Sequence, residues 1–327
     1  MAVPVYIVDA FTTKRFAGNA AAVCLLDKDI AEEAFLKIAA EFNLSETAYP
    51  QPLKKGDEFK TASDFSLRWF TPTVEMDLCG HATLASAHVL FQETENVNAT
   101  LQFHTLSGIL TVKKLPDGRL EMNFPSQSLH SLSVPGGNNA YAGHFSTLES
   151  PPFLKELLPA VIPESLAIRG LAHAKDNKKL LIVVDENTST ADFHSFTPNY
   201  SRMMEIHPDA SFVNAINVAF VPKNPSEQGF VDENGRAYDY VSRNFPPWLG
   251  VNEDPATGSA QCSLAPFWSR VLGKKELYAF QDFPNRGAQF SVAVLEGEQD
   301  GRLAIVGSAV TIVRGTLDPG HSTFDGN

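Results

Sequence analysis

Two stretches of the chain carry the same landmarks in the same order, and this repetition limits the folds that the chain can adopt. The sequences RWFTP at 68–72 and RNFPP at 243–247 share the pattern R-x-F-x-P. Each is followed by a glycine that opens an apolar run, Gly80 in the first stretch and Gly258 in the second. The sequence DGRL then ends both stretches. Because repetition at this length indicates a duplicated structural unit, we predict two similar α+β domains.

The apolar runs predict the architecture of each domain. The segments ATLASAHVLF and SAQCSLAPFW are small or apolar almost all round, whereas a helix on a protein surface has a polar face. We therefore predict a barrel-like sheet around a central apolar helix in each domain, with a pseudo-two-fold relation between the domains. A chain of 327 residues is long enough for two domains. A loose, Pro- and Gly-containing segment follows residue 125, so the predicted domains are 1–125 and 126–327, with the last strand as a candidate to return to the first domain.

Composition excludes several kinds of partner. The chain has 38 acidic and 26 basic residues, for a net charge of −12, so a surface for nucleic acid or for an anionic membrane is not expected. No run of 18 apolar residues is present, so we predict no membrane span. Three cysteines without a C-x-x-C pair are typical of a reducing cytoplasm. The nine histidines include no H-x-x-x-H pair, and we predict no metal site.

The repeated glycines also predict an anion site. A helix start exposes unpaired backbone N–H groups and the positive end of the helix dipole, and glycine lets a ligand approach closely. Gly80–His81 and Gly258–Ser259 hold matching positions in the repeat. Two such helix starts facing a cleft between the domains would bind a carboxylate. The alternative for the second stretch is a plain helix start, with Asp254 as the N-cap and Pro255 as the first helical residue.

A carboxylate and an imidazole are the candidate acid–base groups. Glu46 follows the segment 29–45, whose apolar residues recur at helical spacing, and His81 follows Gly80 directly. Such side chains can transfer protons without a cofactor, and we predict none. The alternative for Glu46 is a capping box formed with Asn43. The alternative for His81 is a hydrogen-bonded structural histidine.

Cys79 is a further candidate, because a helix start lowers the pKa of a thiol. Its counterpart in the second stretch is expected near Ala256, where no cysteine occurs. Racemisation by a pair of cysteines is therefore disfavoured.

These motifs resemble the PhzF-like family of phenazine-biosynthesis isomerases, and they are most similar to its animal branch. The resemblance rests on FAGNAAAV (16–23), NLSETAY (43–49), RWFTPTVEMDLCGHATLASA (68–87) and EDPATGSA (253–260), and it extends over essentially the whole chain. The family has the diaminopimelate-epimerase-like fold, so the resemblance implies two similar domains with an active site between them. It also implies cofactor-free isomerisation by proton transfer and a homodimer.

The resemblance implies roles for individual residues. It places Glu46 at the family's catalytic acid/base position, with His81 and Asp254 at supporting polar positions. The substrate-binding residues that it implies are Asn19 of the Gly-Asn motif, Gly80, Gly258 and Ser259.

The sequence thus predicts a cytoplasmic, cofactor-independent isomerase that moves a proton on a small carboxylate-bearing metabolite. The resemblance implies an amino-acid-like, cyclic substrate. The alternative is a family member that has lost catalysis and acts as a metabolite-binding or regulatory protein. Three acid–base residues favour the enzyme, because a binding protein has no need of them.

Overall fold

The computed structural model describes residues 2–28 and 30–318, and these fall into two compact units. Unit 1 runs to Phe124 and resumes at Ala304, whereas unit 2 is Pro125–Leu303. The chain therefore leaves unit 1 once and returns to it for its last strand. The ends of the predicted domains at residues 1 and 327, and residue 29 in the predicted helical segment, lie outside the described residues.

The described residues of unit 1 form a mixed sheet and two α-helices. Its strands are β1 (Val3–Ala10), β2 (Asn19–Cys24), β3 (Glu46–Pro52), β4 (Asp64–Phe70), β5 (Glu75–Met76), β6 (Thr100–Thr105), β7 (Gly108–Lys114), β8 (Leu120–Pro125) and, numbered along the whole chain, β17 (Ala309–Leu317). Its helices are α1 (Glu32–Phe42) and α2 (Gly80–His88), and α2 continues as a π-helical turn, Val89–Glu93. Strand β1 is antiparallel to both β17 and β2. The next pairs are β2–β3 parallel, β3–β4 antiparallel, β4–β6 parallel and β6–β7 antiparallel.

Unit 2 is also a mixed sheet with helices. Its strands are β9 (His130–Leu132), β10 (Ile168–Ala174), β11 (Lys179–Val184), β12 (Ala215–Phe220), β13 (Tyr240–Phe245), β14 (Glu276–Gln281) and β15 (Ala288–Val294), and β16 (Arg302–Gly307) includes the return to unit 1. Its helices are α3 (Leu154–Val161), α4 (Thr190–Ser195), α5 (Tyr200–Ile206), α6 (Pro225–Gln228) and α7 (Gly258–Leu272). The strand pairs are β10–β11 antiparallel, β11–β12 parallel, β12–β13 antiparallel, β13–β14 parallel and β14–β15 antiparallel.

The two units repeat the same order of strand pairs: antiparallel, parallel, antiparallel, parallel, antiparallel. Helix α2 follows the fourth strand of this series, β4, in unit 1, and α7 follows the fourth strand, β13, in unit 2. Both helices begin at the glycines that the sequence repeat singled out, Gly80 and Gly258. The prediction of a mixed α+β fold is confirmed, and the repeat in the sequence coincides with a repeat in strand order.

Each of these helices packs against the sheet of its own unit. Eight of the nine residues of α2 are buried, and they lie against β1, β2, β3 and β17. Helix α7 lies against β11, β14 and β15, and its polar and partly exposed residues fall mostly in its last two turns. Small side chains such as Ala82, Ala85 and Ala260 let the strands approach these helices closely. The predicted central apolar helix is therefore present in both units.

Arg68 fixes the segment that leads into α2. Its Nε atom donates to the carboxylate of Glu75 at 2.7 Å, and its guanidinium lies 5.0 Å from the ring centroid of Phe70. Glu75 precedes the first residue of the helix, Gly80, by five positions. The arginine of R-x-F-x-P thus holds the helix start beside strand β4.

Arg243 does the same for α7. Its Nε atom donates to the carboxylate of Glu253 at 2.7 Å, and its guanidinium lies 5.0 Å from the ring centroid of Phe245. Glu253 also precedes the first helical residue, Gly258, by five positions. The sequence motif therefore encodes the same anchored helix start in each unit.

His88, the last residue of α2, makes the stability of unit 1 sensitive to acid. Its Nε2 atom lies 3.0 Å from Thr311 Oγ1, and burial lowers its pKa to about 4. An unfolded histidine titrates near pH ~6.5, so between these values the unfolded state binds more protons. The folded state is therefore fully stabilised above about pH 6.5 and loses about 2–3 kcal/mol as the pH falls to about 4.

We expect His88→Gln to remove most of this acid sensitivity. The measurement is the urea midpoint at neutral and at mildly acidic pH. The control is His104→Gln, because the side chain of His104 is 34% exposed. If the urea midpoint of His88→Gln fell between neutral and acidic pH by as much as that of the parent, the prediction would be contradicted.

Within the described ranges, no helix combines the length and the apolar character needed to cross a membrane.

Candidate active site

Two elements of unit 1 bring Glu46 and His81 together. Helix α1 ends at Phe42, and Asn43 adopts a left-handed conformation with φ of 49° that turns the chain into β3. Glu46 is the first residue of that strand, and His81 is the second residue of α2. The capping-box alternative for Glu46 is therefore wrong, because Asn43 ends a helix and does not begin one.

Glu46, His81 and Cys79 form a cluster. The Oε2 atom of Glu46 lies 3.0 Å from Nε2 of His81, and the two side chains are only 12% and 4% exposed. On the other side of the ring, the Sγ atom of Cys79 lies 3.5 Å from Nδ1 of His81. The imidazole therefore lies between a carboxylate and a thiol.

Among the described residues, these three side chains are close enough together to hold a metal ion. Their potential ligand atoms lie within 4.8 Å of one another. The absence of a metal site stays a prediction from the sequence.

Asn19 determines which nitrogen of His81 carries the proton. The hydroxyl of Ser45 donates to Asn19 Oδ1 at 2.9 Å, so the amide N–H group of Asn19 faces His81 Nδ1 at 3.2 Å. An amide N–H can only donate, so Nδ1 accepts and the proton of the neutral ring lies on Nε2, towards Glu46. Asn19, predicted as a substrate-binding residue, here contacts His81 of the candidate acid–base pair.

The facing atoms of the pair are close but poorly aligned. Among the described residues, neither Glu46 Oε2 nor His81 Nε2 makes a hydrogen bond of good geometry, although both are buried. A buried polar atom without such a bond costs about 1–3 kcal/mol, so folded proteins rarely leave two of them side by side. The pair can therefore gain hydrogen bonds from a small bound molecule.

Burial and charge act on the cluster in opposite directions. Burial lowers the pKa of His81, but the charges of Cys79 and Glu46 raise it by more, so the pKa lies well above the ordinary histidine value when both neighbours are ionised. Burial raises the pKa of the Cys79 thiol, and the charge of Glu46 raises it further. Near neutral pH the thiol therefore keeps its proton, and Glu46 is the neighbour that favours a charged ring. The amide of Asn19, donating to Nδ1, favours the neutral ring.

In unit 2, Asp254 lies before the start of α7 and does not cap it. The N-cap is Thr257, three residues later, so the alternative in which Asp254 is the N-cap and Pro255 the first helical residue is wrong. Asp254 accepts a hydrogen bond from the Thr257 hydroxyl and pairs with Asn244 of β13 as an isolated β-bridge. That bridge continues the strand pairing and delays the helix.

Gln281 closes this turn from β14. Its Oε1 atom accepts from the backbone N–H of Thr257 at 2.8 Å, and its Nε2 atom donates to the backbone carbonyl of Asp254 at 2.5 Å. Gly258 is buried and Ser259 is partly buried at the first turn of the helix. The structure therefore places the predicted residues Asp254, Gly258 and Ser259 together at one helix start of unit 2.

Lys179, the first residue of β11, was not among the residues predicted from the sequence. Its ammonium group donates to Asn214 Oδ1 at 3.0 Å. Burial lowers its pKa to about 8, and the negative charge of Asp254 opposes this shift. In the sequence, Lys179 is half of a Lys-Lys pair that resembles any solvated charge, whereas in the structure it is only partly exposed.

We expect the side chain of Lys179 to titrate with a midpoint of about 8. Because the Asp254 carboxylate stabilises the ammonium form, Asp254→Asn should lower the midpoint further. Nuclear magnetic resonance of protein labelled with ¹³C-lysine measures it, and Asp232→Asn is the charge-matched control. A midpoint in Asp254→Asn equal to or above that of the parent would contradict the assignment.

The repeat shows what unit 2 has in place of the cluster. Cys79 directly precedes Gly80, and the residue directly preceding Gly258 is Thr257. The counterpart of Cys79 is thus Thr257, next to Ala256 where it was expected, and both residues are helix N-caps. In the same register, Ser259 occupies the place of His81.

Glu46 also lacks an acidic counterpart. The phenylalanines of the two R-x-F-x-P motifs pair with the second residue of β3 in unit 1 and with the second residue of β12 in unit 2. The first residues of these strands are Glu46 and Ala215. The thiol, imidazole and carboxylate of the cluster are thus replaced by Thr257, Ser259 and Ala215, so these acid–base groups belong to unit 1.

A model of the family described as phenazine biosynthesis-like protein matches residues 8–315. The chain belongs to this family. The phenazine biosynthesis-like domain-containing protein of Bos taurus is 39% identical over 317 residues, covering 97% of this chain and 99% of that relative. A bacterial relative from Halalkalibacterium halodurans, named an uncharacterized isomerase, is 35% identical over 322 residues, with the same coverage of 97% and 99%. The predicted family is confirmed, and animal members are among its relatives.

Solved structures of the phenazine biosynthesis-like family have the same fold. A PhzF-family protein from Enterococcus faecalis matches with a TM-score of 0.74 and 30% identity, covering 97% of this chain and 100% of that one. A probable proline racemase from Agrobacterium radiobacter K84 matches with a TM-score of 0.54 and 13% identity, covering 97% and 93% of the two chains. The second match concerns the fold alone. Together they agree with the predicted diaminopimelate-epimerase-like fold.

Proposed function

We propose that this member of the phenazine biosynthesis-like family is a cofactor-independent isomerase. It moves a proton on a small carboxylate-bearing, amino-acid-like substrate, and Glu46 is the general acid/base. Members of the family in bacteria carry the name isomerase, and the racemase-type fold of the chain is consistent with that chemistry.

The observation that carries the proposal is the contact between Glu46 and His81. Two titratable groups that face each other at 3.0 Å, both largely buried, provide a base and an acid within reach of one bound molecule. Their lack of well-aligned hydrogen bonds supports a ligand in contact with both. An isomerisation needs both groups, because one proton leaves the substrate and another is added.

The confinement of these groups to unit 1 further supports an isomerisation carried out by one acid–base cluster. Ala215, Thr257 and Ser259 of unit 2 offer neither a carboxylate nor an imidazole in the equivalent places. A racemase with a pair of matched bases would need such a group there. Asp254, Gly258 and Ser259 stay proposed contacts of the substrate.

The test is incubation of the full chain with a mixture of small metabolites in D₂O. We expect one compound to gain carbon-bound deuterium, detected by mass spectrometry and located by nuclear magnetic resonance. Heat-denatured protein is the control. If a compound binds without gaining deuterium, the protein is a metabolite-binding or regulatory member of the family. If none binds or exchanges across a broad set of carboxylates, the proposal fails.

We also propose that the protein forms a homodimer, as the family resemblance implies. Light scattering coupled to size-exclusion chromatography measures the molar mass, and a mass equal to one chain would contradict it.

A further inference from the structure

His81 has different partners on its two ring nitrogens. Its Nε2 atom faces the carboxylate of Glu46 at 3.0 Å, and its Nδ1 atom faces the thiol of Cys79 at 3.5 Å. An imidazole can accept a proton at one nitrogen while it releases another from the second. The ring is therefore in a position to connect the thiol with the carboxylate.

Cys79 is placed to store a proton. It is the N-cap of α2, it is 5% exposed, and its side chain makes no capping hydrogen bond to the helix. The thiol is instead directed at the one ring nitrogen that accepts hydrogen bonds, where the amide of Asn19 also donates. The other two cysteines, Cys24 and Cys262, are free, buried thiols and serve as internal references.

We propose that Cys79 is the proton reservoir of the active site, linked through His81 to Glu46. The linkage rests on geometry alone, whereas its use in turnover rests on the proposed isomerase function. Because it acts through His81 and does not touch the substrate, Cys79 is a positioning residue and not a catalytic one.

The proton transfers balance within the three side chains. Glu46 takes a proton from one substrate atom, and His81 gives its Nε2 proton to another. As that proton leaves, Nδ1 takes the thiol proton, so the ring stays neutral, a thiolate remains on Cys79, and the unprotonated Nε2 faces the protonated Glu46. To reset the site, Glu46 passes its proton to Nε2, and Nδ1 returns one to the sulfur. No electrons are transferred, and the substrate loses and gains one proton.

The first test asks whether the thiol and the carboxylate titrate as a linked pair. The S–H stretching band in the infrared spectrum reports the thiol directly, and the band missing from Cys79→Ser belongs to Cys79. Removing the charge with Glu46→Gln should lower the midpoint at which this band disappears by about one pH unit or more, as expected for interacting groups. The bands of Cys24 and Cys262 should not move, and neither should the Cys79 band in Glu41→Gln, which changes an exposed carboxylate.

A double-mutant cycle separates a link through the ring from simple repulsion between charges. In a His81→Asn background, Glu46→Gln should move the Cys79 midpoint by less than about half of its effect in the parent, because the ring that connects the groups is gone. An undiminished shift would overturn the relay and leave only a through-space effect.

The third measurement is the state of His81 by ¹⁵N nuclear magnetic resonance. We expect a neutral ring protonated on Nε2 at neutral pH. A ring protonated on both nitrogens while the Cys79 S–H band persists would overturn the proposal, because such a ring could supply its own proton.

The Cys79→Ser variant separates a structural role from the proposed one. Serine keeps a hydrogen-bond donor, so it would rescue a purely structural role, but it would not restore the linked titration. These readouts need no substrate, so a failure of the relay is distinguishable from a failure to incorporate deuterium. A change of the S–H band on addition of Zn²⁺ at neutral pH, with displacement of the thiol proton, would instead show that the cluster is a metal site.

Discussion

Replacing Glu46 by glutamine is expected to reduce deuterium incorporation into the substrate by about 100-fold or more, the usual contribution of general acid–base catalysis. Glutamine has nearly the same size and can still form hydrogen bonds with His81, but it cannot accept a proton. Ligand binding should therefore change little while the rate falls. The rate is measured by nuclear magnetic resonance on the compound identified in D₂O, and binding is measured by calorimetry.

Glu41→Gln is the matched control for this prediction. Glu41 is an exposed carboxylate on helix α1, and its replacement makes the same change of charge and size away from the cluster. The control should keep the parental rate. If Glu46→Gln also exchanged deuterium at the parental rate, Glu46 would be a structural residue, and the base would have to be His81 or Asp254.

Features that depend on local sequence were predicted correctly. The burial of α2 follows from a run of small and apolar residues, and the starts of α2 and α7 follow from Gly80 and Gly258. Helix α1 likewise follows from apolar residues at helical spacing, with Phe35, Ile38 and Ala39 buried as that spacing requires. Each of these features depends only on residues that are close together in the sequence, so it can be predicted from the sequence alone.

Features that depend on distant parts of the chain were not predicted. Glu46 and His81 were selected separately, and their contact at 3.0 Å depends on how β3 packs beside α2. Lys179 resembled a solvated lysine, because its partial burial depends on the pairing of β11 with β12, which are far apart in sequence. The alternative in which Asp254 caps α7 fails, because the β-bridge to Asn244 extends the strand pairing and a local rule cannot detect it.

The two arginines of the R-x-F-x-P motifs, Arg68 and Arg243, are expected to contribute unequally to stability, because they differ in burial. Arg243→Met should reduce the free energy of unfolding by about 3–5 kcal/mol, the typical cost of breaking a buried ion pair by removing one partner. Arg243 is 2% exposed and Glu253 is 11% exposed. The guanidinium also donates to the backbone carbonyls of Phe193 and Phe196, at 2.7 and 2.8 Å. Methionine restores much of the packing volume but none of these hydrogen bonds, so Glu253 would be left as a buried charge without its partner. Urea denaturation monitored by circular dichroism measures the change.

Arg68→Met is the matched control, because Arg68 occupies the same place in the other unit. Its side chain is 31% exposed, its partner Glu75 is 25% exposed, and its second partner Glu32 is 69% exposed. Solvent screens these pairs, so the expected loss is about 1 kcal/mol or less. Adding Glu253→Leu to Arg243→Met should recover part of the larger loss, because it removes the unpaired buried carboxylate. The prediction would be contradicted by equal losses for the two arginines, or by no recovery in the double variant. Either result would mean that the loss of stability comes from the hydrogen bonds to the backbone carbonyls or from the stacked aromatic rings, and not from the unpaired buried charge.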